Sequence, residues 1–222
     1  MLARVEAVFL EAAGRRLDII SQANDRAGWN LKGIEIHEPS AARAVDRLSF
    51  TAATWNTLRN EGTGVYLFYP NSIKLNKRSE NYVEEGRRQK IHKGYKCANR
   101  TPWWRVPILA EPDLIFTYMN HHMPRLINND ARVQITNSVY GVSLARNRKT
   151  IGKAILPILF FNSISALSSE VEGRSYGGGL LKHEPREADR ILVPSLSFAA
   201  NLAEEVTTMK QIYEHSHQPE YA

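Results

Sequence analysis

The chain has 222 residues, of which 43% are hydrophobic, 23% are charged and one is a cysteine. This length and apolar content are sufficient for one large domain or two small ones with a buried core. The single cysteine, Cys97, excludes an internal disulfide and a cysteine-based zinc site. It is either a reactive thiol among bases or, as is commoner, an ordinary small residue. No apolar run reaches the roughly 18 residues of a membrane span, and Arg4 and Glu6 come too early for a secretory signal, so a folded cytoplasmic protein without membrane contact is expected.

The first 46 residues have the order of an alternating α/β unit. Residues 3–28 repeat apolar side chains at helical spacing, with Gly14 as the weak point, which indicates one long or two short helices. Residues 31–36 are typical of a short strand, and Pro39 is suited to begin another helix. Glu35 lies near the end of that strand, where an acid accepts hydrogen bonds from ribose hydroxyls in dinucleotide or adenosyl-cofactor folds.

From residue 48 onward the pattern changes to short elements of both kinds. The sequence predicts a helix over 51–60, a strand over 65–69, β-like segments over 108–118 and 134–144 around the polar span 120–130, a buried helix or helix pair over 149–167, a short helix entering a strand over 186–194, and an amphipathic helix over 195–213. The predicted fold class is α/β of the mixed α+β type: a partial Rossmann-like helix-strand-helix unit, then a mixed α+β region, with a boundary near residues 44–48.

Positive charge is concentrated in one segment. Residues 74–105 hold ten basic and three acidic side chains, a net charge of +7, whereas the rest of the chain holds 19 bases and 20 acids. Such clustering is the electrostatic footprint of a polyanionic partner. A solvated charged face is the alternative.

Aromatic side chains are interleaved with the bases at the end of this segment. Between residues 93 and 107 stand Lys93, Lys96 and Arg100 together with Tyr95, Trp103 and Trp104. Bases can neutralise phosphates while flat rings stack on nucleobases, which together form a nucleic-acid surface. The two tryptophans fit core anchors equally well, and we expect at least one of them to be buried.

Residues 120–129 gather two histidines, an arginine and two amides. His121 and His122 are adjacent and point in different directions on a strand or helix, so metal ligation by both is not expected. Arg125 with Asn128 or Asn129 suits phosphate or base-edge contacts. A satisfied polar turn is the alternative.

Three consecutive glycines, Gly177, Gly178 and Gly179, follow Arg174 and precede Lys182. Glycine has no Cβ, so such a run lets the backbone approach a ligand closely while the two bases supply charge at either end. This pattern suits a phosphate, and a flexible turn between two elements is the alternative. The Walker pattern is not met, because His183 follows Lys182.

Four motifs in order resemble those of adenine-specific DNA methyltransferases of restriction-modification systems, which have an N-terminal cofactor domain and a C-terminal target-recognition region. The resemblance covers about residues 48–194. It rests on Gly94-Tyr95-Lys96, Arg100-Thr101-Pro102-Trp103-Trp104, Pro124-Arg125-Leu126 with Asn129, and Gly173-Arg174-Ser175-Tyr176-Gly177-Gly178-Gly179 through Lys182, Glu184-Pro185 and Glu187. It implies that these motifs contact DNA and recognise the target.

The resemblance fails at the cofactor domain. The family's cofactor-binding glycines and its catalytic Asn-Pro-Pro-Tyr element, which positions the flipped adenine, have no counterpart in the 222 residues. The resemblance therefore implies a remnant of the cofactor domain at residues 1–46, with Glu35 at the ribose-binding position, and a target-recognition domain at residues 47–222. S-adenosylmethionine is the family's cofactor, and the missing glycines argue against its binding here.

The resulting hypothesis is a DNA-recognition chain that is inactive alone. Its expected partners are duplex DNA and a protein that carries the missing catalytic half. The expected DNA contacts are Lys93, Lys96, Arg100, Trp103, Trp104, Arg125, Asn129, Arg174, Tyr176, Gly177, Gly178, Gly179 and Lys182. Two alternatives stay open: a divergent but active methyltransferase, and a separate DNA-specificity subunit.

Overall fold

The computed structural model describes residues 47–60, 66–70, 73–106, 110–135 and 139–216, together with the backbone of four short strands before residue 35. The strands are β1 Leu2–Ala3, β2 Glu11–Ala12, β3 Arg15–Arg16, β4 Leu31–Ile34, β5 Tyr66–Leu67, β6 Leu114–Phe116, β7 Met119–Asn120, β8 Leu126–Asn128, β9 Gln134–Ile135, β10 Tyr140–Val142, β11 Arg174–Tyr176 and β12 Leu180–Lys182. The α-helices are α1 Ala52–Asn60, α2 Lys77–Arg88, α3 Tyr95–Ala98, α4 Lys149–Phe160, α5 Ser163–Glu172, α6 Pro185–Ala188, α7 Leu196–Ala200 and α8 Ala203–Ser216.

An antiparallel sheet in the order β1-β10-β6-β8 forms the centre of the molecule. Every residue of β6 is buried, because the strand is an uninterrupted apolar run with both faces covered. Ile115 joins Phe50, Trp55 and Ile127 in one core cluster, while Phe116 packs with Phe160 of α4 in another. Burial of each of these side chains contributes about 1.5–3 kcal/mol to folding.

Two three-stranded sheets flank this centre. β4 pairs antiparallel with β5 and parallel with β9, so a strand from the first 46 residues shares a sheet with strands that follow residue 47. The third sheet has the order β11-β12-β7 and carries the glycine run between β11 and β12. The division of the chain at residues 46 and 47 stays a prediction.

Two helices, α4 and α5, meet at a sharp corner. The short 3-10 helix Arg146–Arg148 leads into α4, and α4 and α5 meet at 80°. Asn162 begins α5, because its Oδ1 accepts hydrogen bonds from the N–H groups of Ile164 and Ser165 at 2.8 and 3.0 Å. Within the described ranges no single helix is long and apolar enough to cross a membrane, and only the bent pair of α4 and α5 reaches that length and composition.

Most of the elements predicted after residue 48 are confirmed. The helix over 51–60, the strand at 65–69, the strands within 108–118 and 134–144, and the helix pair from 149 are present, and so is the mixed α and β class. The strand at 31–36 is confirmed as β4. Glu35 and the helix expected from Pro39 lie outside the described residues.

Three local predictions were wrong. The described parts of residues 3–28 are the strands β1, β2 and β3, and Gly14, a poor helix former, stands between the paired β2 and β3. β8 lies within the polar span 120–130, for which the sequence predicted neither helix nor strand. No strand follows α6 in the described chain, because the backbone N–H and C=O of Leu192 bond to Ser168 and Ser165 of α5.

The C-terminal helix is divided into α7 and α8. Asn201 and Leu202 form a turn between them. Asparagine competes with the helix for its own backbone hydrogen bonds, and the turn lets Leu202 pack on the core formed by Ala199, Val206 and Tyr213.

Candidate nucleic-acid interface

The basic segment folds as a small helical unit, residues 73–106, called here the basic module. Asn76 begins α2 by accepting a 2.9 Å hydrogen bond from the N–H of Ser79. Lys90, in the left-handed conformation (φ 62°), leads into the 3-10 helix Ile91–Lys93, and α3 follows directly after Gly94. The module therefore presents three short helical pieces within 22 residues of chain.

A local apolar cluster holds the module together. Val83 of α2 and Trp104 are buried against Phe68, and the rings of Trp104 and Phe68 meet edge to face at 5.8 Å. Gly86 allows the ring of Trp103 to lie directly on α2, because a Cβ at that position would come within 2.7 Å of the ring. Both tryptophans thus pack inside the module, and the prediction that at least one is buried is confirmed.

Most of the module's positive charge faces solvent. The side chains of Lys77, Lys90 and Lys93 are exposed and, within the described residues, form no ion pair with an acid. Lys96 and Arg100 are half-buried. The cluster of positive charge is therefore accessible to a polyanion.

Other bases of the module have intramolecular partners, among them three arginines. Arg87 pairs with Glu84 at 3.2 Å and Arg88 pairs with Glu85 along α2. Arg105 lies 4.3 Å from the ring centre of Tyr69, on which it stacks, and it donates a 3.0 Å hydrogen bond to the carbonyl of Pro70. These three arginines support the module itself.

One aromatic ring of the basic segment is on the surface. Tyr95 is 85% exposed and stands between Lys93 and Lys96 at the start of α3. The sequence pattern offered all three rings for stacking, but Trp103 and Trp104, the two expected to contact DNA, are packed against protein. The spacing of bases and rings could not distinguish the exposed ring from the two anchors.

Cys97 lies in the same unit and is 4% exposed. Burial raises the pKa of its thiol, against the lowering effect of Arg100. A raised pKa keeps the sulfur protonated and unreactive at neutral pH. Of the two interpretations of this cysteine, the ordinary small residue is the one that fits.

The three glycines form the tip of a β-hairpin, Arg174–Lys182, called here the glycine hairpin. Tyr176 pairs with Leu180, so Gly177, Gly178 and Gly179 make a three-residue connection. Gly178 and Gly179 have φ angles of 78° and 76°, a region that favours glycine. A Cβ at any of the three would meet no atom within 4 Å, so the tip stands clear of the protein.

The two bases of the glycine hairpin are neutralised by nearby acids. Arg174 Nε lies 2.5 Å from Glu187 Oε1, and Lys182 Nζ lies 2.8 Å from Glu184 Oε1. The hydrogen bond to Glu184 raises the pKa of Lys182, and Lys182 also lies 5.5 Å from the ring centre of Tyr176. The hairpin offers a ligand an exposed backbone and a half-exposed ring rather than free charge.

Glu187 connects the hairpin to α6. The N–H of Glu184 donates a 2.8 Å hydrogen bond to Glu187 Oε2, and this bond, with the ion pair to Arg174, holds the pKa of Glu187 below its ordinary value. The hairpin is also joined to β7 through β12, next to the segment that contains His121 and His122. No group of three or more histidine, cysteine or acidic side chains in the described chain is arranged to hold a metal ion.

Two predicted contact residues have structural partners. Arg125 donates a 2.7 Å hydrogen bond to the hydroxyl of Tyr213 and lies 5.0 Å from the ring centre of Phe161, so it fixes α8 against the end of α4. Asn129 is 1% exposed, donates to the carbonyls of Pro112 and Val133 at 3.0 Å and accepts from the N–H of Val133 at 2.9 Å. For Asn129 the satisfied polar turn is therefore the better interpretation.

The known proteins similar to this chain are type II methyltransferases. A family model described as type II methyltransferase M.Eco57I, C-terminal domain, matches residues 20–220. The type II methyltransferase M.AccI of Acinetobacter calcoaceticus is 23% identical over 144 residues, 64% of this chain and 26% of the relative. The type II methyltransferase M.XamI of Xanthomonas campestris pv. amaranthicola is 29% identical over 113 residues, 48% of this chain and 20% of the relative. The matched region therefore spans about a quarter or less of these relatives, and no solved structure matches the chain.

Proposed function

The chain belongs to the family defined by the C-terminal domain of the type II methyltransferase M.Eco57I, and from that premise we propose that it binds duplex DNA and recognises the target of an adenine-specific methyltransferase of a restriction-modification system. The proposed target is duplex DNA, and the proposed location of the protein is the cytoplasm. In this proposal residues 47–222 form the recognition domain and residues 1–46 are the remnant of a cofactor domain.

The observation that carries the proposal is the exposed charge of the basic module. Its net charge of +7 lies within 32 consecutive residues, and Lys77, Lys90 and Lys93 face solvent without acidic partners in the described chain. Each phosphate contact releases condensed counterions, so this surface should supply the salt-dependent part of the affinity. Exposed Tyr95 at the start of α3, with Lys96 in that helix and Arg100 just after it, adds a ring that can stack on a base.

The glycine hairpin supports a complementary contact. Its tip projects without neighbours, and its backbone N–H and C=O groups can approach a DNA groove closely because no side chain intervenes. Tyr176 lies directly before the tip. Arg174 and Lys182 would contact phosphates only by exchanging or sharing their acidic partners. Arg125 is proposed as a contact through the half-exposed surface that it shares with Arg47.

We assign no methyl transfer to this chain by itself. S-adenosylmethionine is the methyl donor of methyltransferases of this family, but the cofactor-binding glycines and the Asn-Pro-Pro-Tyr element are not found in the 222 residues. That element positions the flipped adenine, and loss of such positioning removes several orders of magnitude of rate. A protein that carries the catalytic half is the proposed second partner.

The test is duplex binding across a salt series. Fluorescence anisotropy of a labelled duplex, measured with the full chain at several salt concentrations, should give an affinity that falls steeply with salt, with a slope of about −0.9 for each phosphate contacted. Poly-glutamate with the same net charge as the duplex, added as a competitor, controls for general polyanion binding. Affinity that does not change with salt would contradict the proposal.

Two other functions predict different results. A divergent active methyltransferase would bind S-adenosylmethionine in calorimetry and methylate adenine in the duplex. A separate DNA-specificity subunit would bind one duplex sequence selectively and copurify with a protein that contains the missing catalytic element.

A further inference from the structure

Helix α5 has its polar face inward and its apolar face outward. Ser165 and Ser169 are buried at 0% and 1% exposure, and the Ser165 hydroxyl donates a 2.7 Å hydrogen bond to the carbonyl of Leu192. On the opposite side Ile164, Leu167 and Val171 are 64%, 67% and 73% exposed. This inverts the usual pattern of a surface helix, in which the apolar stripe faces the core.

A fourth apolar residue extends this stripe. The N–H of Leu192 donates a 2.9 Å hydrogen bond to Ser168 Oγ, so Leu192, 63% exposed, lies beside α5. We call Ile164, Leu167, Val171 and Leu192 the α5 patch. Isolated exposed leucines are ordinary, but three exposed apolar residues on one face of a helix with a fourth beside that helix are typical of a surface that another protein covers.

The edge of the α5 patch is polar. Arg190 Nε lies 2.5 Å from Glu172 Oε2, and Glu170 is exposed on the same helix. An apolar centre inside a polar rim is the usual composition of a protein–protein interface. It does not suit insertion into a bilayer, since the ten residues of α5 extend about 15 Å, half the thickness of the hydrocarbon core.

We infer that the α5 patch docks the part of a type II methyltransferase that has no counterpart in this chain, the cofactor-binding and catalytic part. This inference rests on the protein partner of the proposed function. The matched region is 26% of M.AccI and 20% of M.XamI, so about three quarters or more of each relative lies outside it. A recognition part and a catalytic part that act on one DNA site require a fixed mutual orientation, and an apolar contact provides it.

The α5 patch shares no residue with the proposed DNA contacts. The bases of the basic module are on residues 74–105, and the tip of the glycine hairpin is Gly177–Gly179. The two functions can therefore be tested by mutations at different residues.

The experiment pairs the full chain with a tagged polypeptide of M.XamI that consists of the part outside the match. Titration calorimetry should detect a complex of defined stoichiometry. Leu167→Glu places a charge in the centre of the α5 patch and should weaken the complex about tenfold or more. Glu170→Gln, a change of an exposed rim residue on the same helix, is the matched control and should leave the affinity within about twofold.

Two readouts show whether the variants are folded and whether DNA binding is separate. The thermal unfolding midpoint of Leu167→Glu should equal that of the wild type, because the side chain is already exposed. Duplex binding and its salt slope should also be unchanged. Ile164→Ser, a smaller change at the same patch, should weaken the complex by a smaller factor.

Absence of a complex between the wild-type chain and the M.XamI polypeptide would overturn the inference. So would a complex that Leu167→Glu leaves intact. A homodimer in sedimentation, or binding to phosphatidylcholine vesicles, that Leu167→Glu abolishes would assign the patch to a different occupant and overturn it as well. A complex that forms although duplex binding shows no salt slope would leave this inference standing while the DNA-binding proposal fails.

Discussion

The basic module and the glycine hairpin look alike in sequence, since each combines basic side chains with aromatic rings and glycine. In the structure they differ in how much of that charge is already neutralised. Three lysines of the module face solvent without acidic partners in the described chain, whereas both bases of the hairpin are paired, Arg174 with Glu187 and Lys182 with Glu184. A basic residue in a motif therefore indicates a free positive charge only where the fold places no acid beside it.

The two regions also differ in how they are held. The module has a small core of its own around Phe68, Val83 and Trp104. The hairpin is one edge of a sheet and is fixed through β12 to β7. We expect the exposed charges of the packed module to determine the affinity for duplex DNA. The exposed backbone at the tip of the hairpin should determine how closely the protein fits the DNA groove.

The largest effect is expected from Trp104→Ala. Removing this ring leaves a cavity beside Phe68 and should lower the free energy of unfolding by about 3–5 kcal/mol. Urea unfolding followed by circular dichroism measures the change. Tyr95→Ala is the matched aromatic control, because its ring is 85% exposed. It should keep the stability within about 0.5 kcal/mol and lower only duplex affinity. Equal destabilisation by both substitutions would contradict the assignment of Trp104 to the core.

The next effect is expected from neutralising the module's free charge. The triple variant Lys77→Gln, Lys90→Gln and Lys93→Gln should weaken duplex binding about tenfold to hundredfold and make the slope of log affinity against log salt shallower by about three. Anisotropy across a salt series measures both quantities.

The control variant removes the same net charge elsewhere, at the exposed residues Arg146, Arg148 and Arg186, each replaced by Gln. Its change in the logarithm of duplex affinity should be less than a third of the change in the lysine variant. Equal losses of duplex affinity in the two variants would show that binding depends on the net charge of the chain alone. That result would contradict the distinction between the module and the hairpin.

A smaller effect is expected at the tip of the glycine hairpin. Gly177 does not have a positive φ, so Gly177→Leu adds a side chain in open space without backbone strain. If the tip approaches DNA closely, duplex affinity should fall several-fold while the salt slope stays the same. Gly178→Ala is the strain control, because φ is 78° there and a Cβ costs about 1–2 kcal/mol. If Gly177→Leu binds the duplex with wild-type affinity, the tip only connects β11 and β12.

The smallest effect is expected from lowering the pH, which protonates Glu187, the ion-pair partner of Arg174. The hydrogen bond from the Glu184 N–H and the ion pair with Arg174 hold the pKa of Glu187 below its ordinary value of 4.5. A depressed folded pKa contributes stability that is present above the unfolded pKa and is lost as the pH falls through the folded pKa. The thermal midpoint should therefore fall below pH 4.5. In Glu187→Gln the thermal midpoint at pH 7 should be lower than in the wild type, and its further fall in acid should be smaller. An identical pH profile for both proteins would contradict the assigned role of Glu187.

The sequence predicted elements where the apolar pattern dominates and missed those that long-range pairing creates. The run Leu114–Phe116 and the helix pair from Lys149 are strongly apolar, and both were predicted. β8 lies in a polar stretch, and its strand conformation comes from pairing with β6. The strand predicted near residue 192 is absent because serines of α5, distant in sequence, take the backbone hydrogen bonds of Leu192.

The candidate site shows the same limit. The charge of residues 74–105 was visible in the composition, as was the glycine run. Which ring is exposed was not, because Tyr95, Trp103 and Trp104 differ by their contacts with Phe68 and Gly86 and not by their spacing. The pairing of Arg174 with Glu187 was also invisible, since it depends on how α6 lies against the hairpin.

The measurement that tests the central claim most directly is lysine footprinting with and without a duplex. Acetylation of each lysine, read by mass spectrometry, should be strongly reduced by DNA at Lys77, Lys90 and Lys93. It should be unchanged at Lys149, which is 2.7 Å from Asp113, and at Lys210 on α8. Protection confined to the module would establish it as the main DNA contact. Uniform protection, or protection at Lys149 and Lys210 with the module still reactive, would contradict the account.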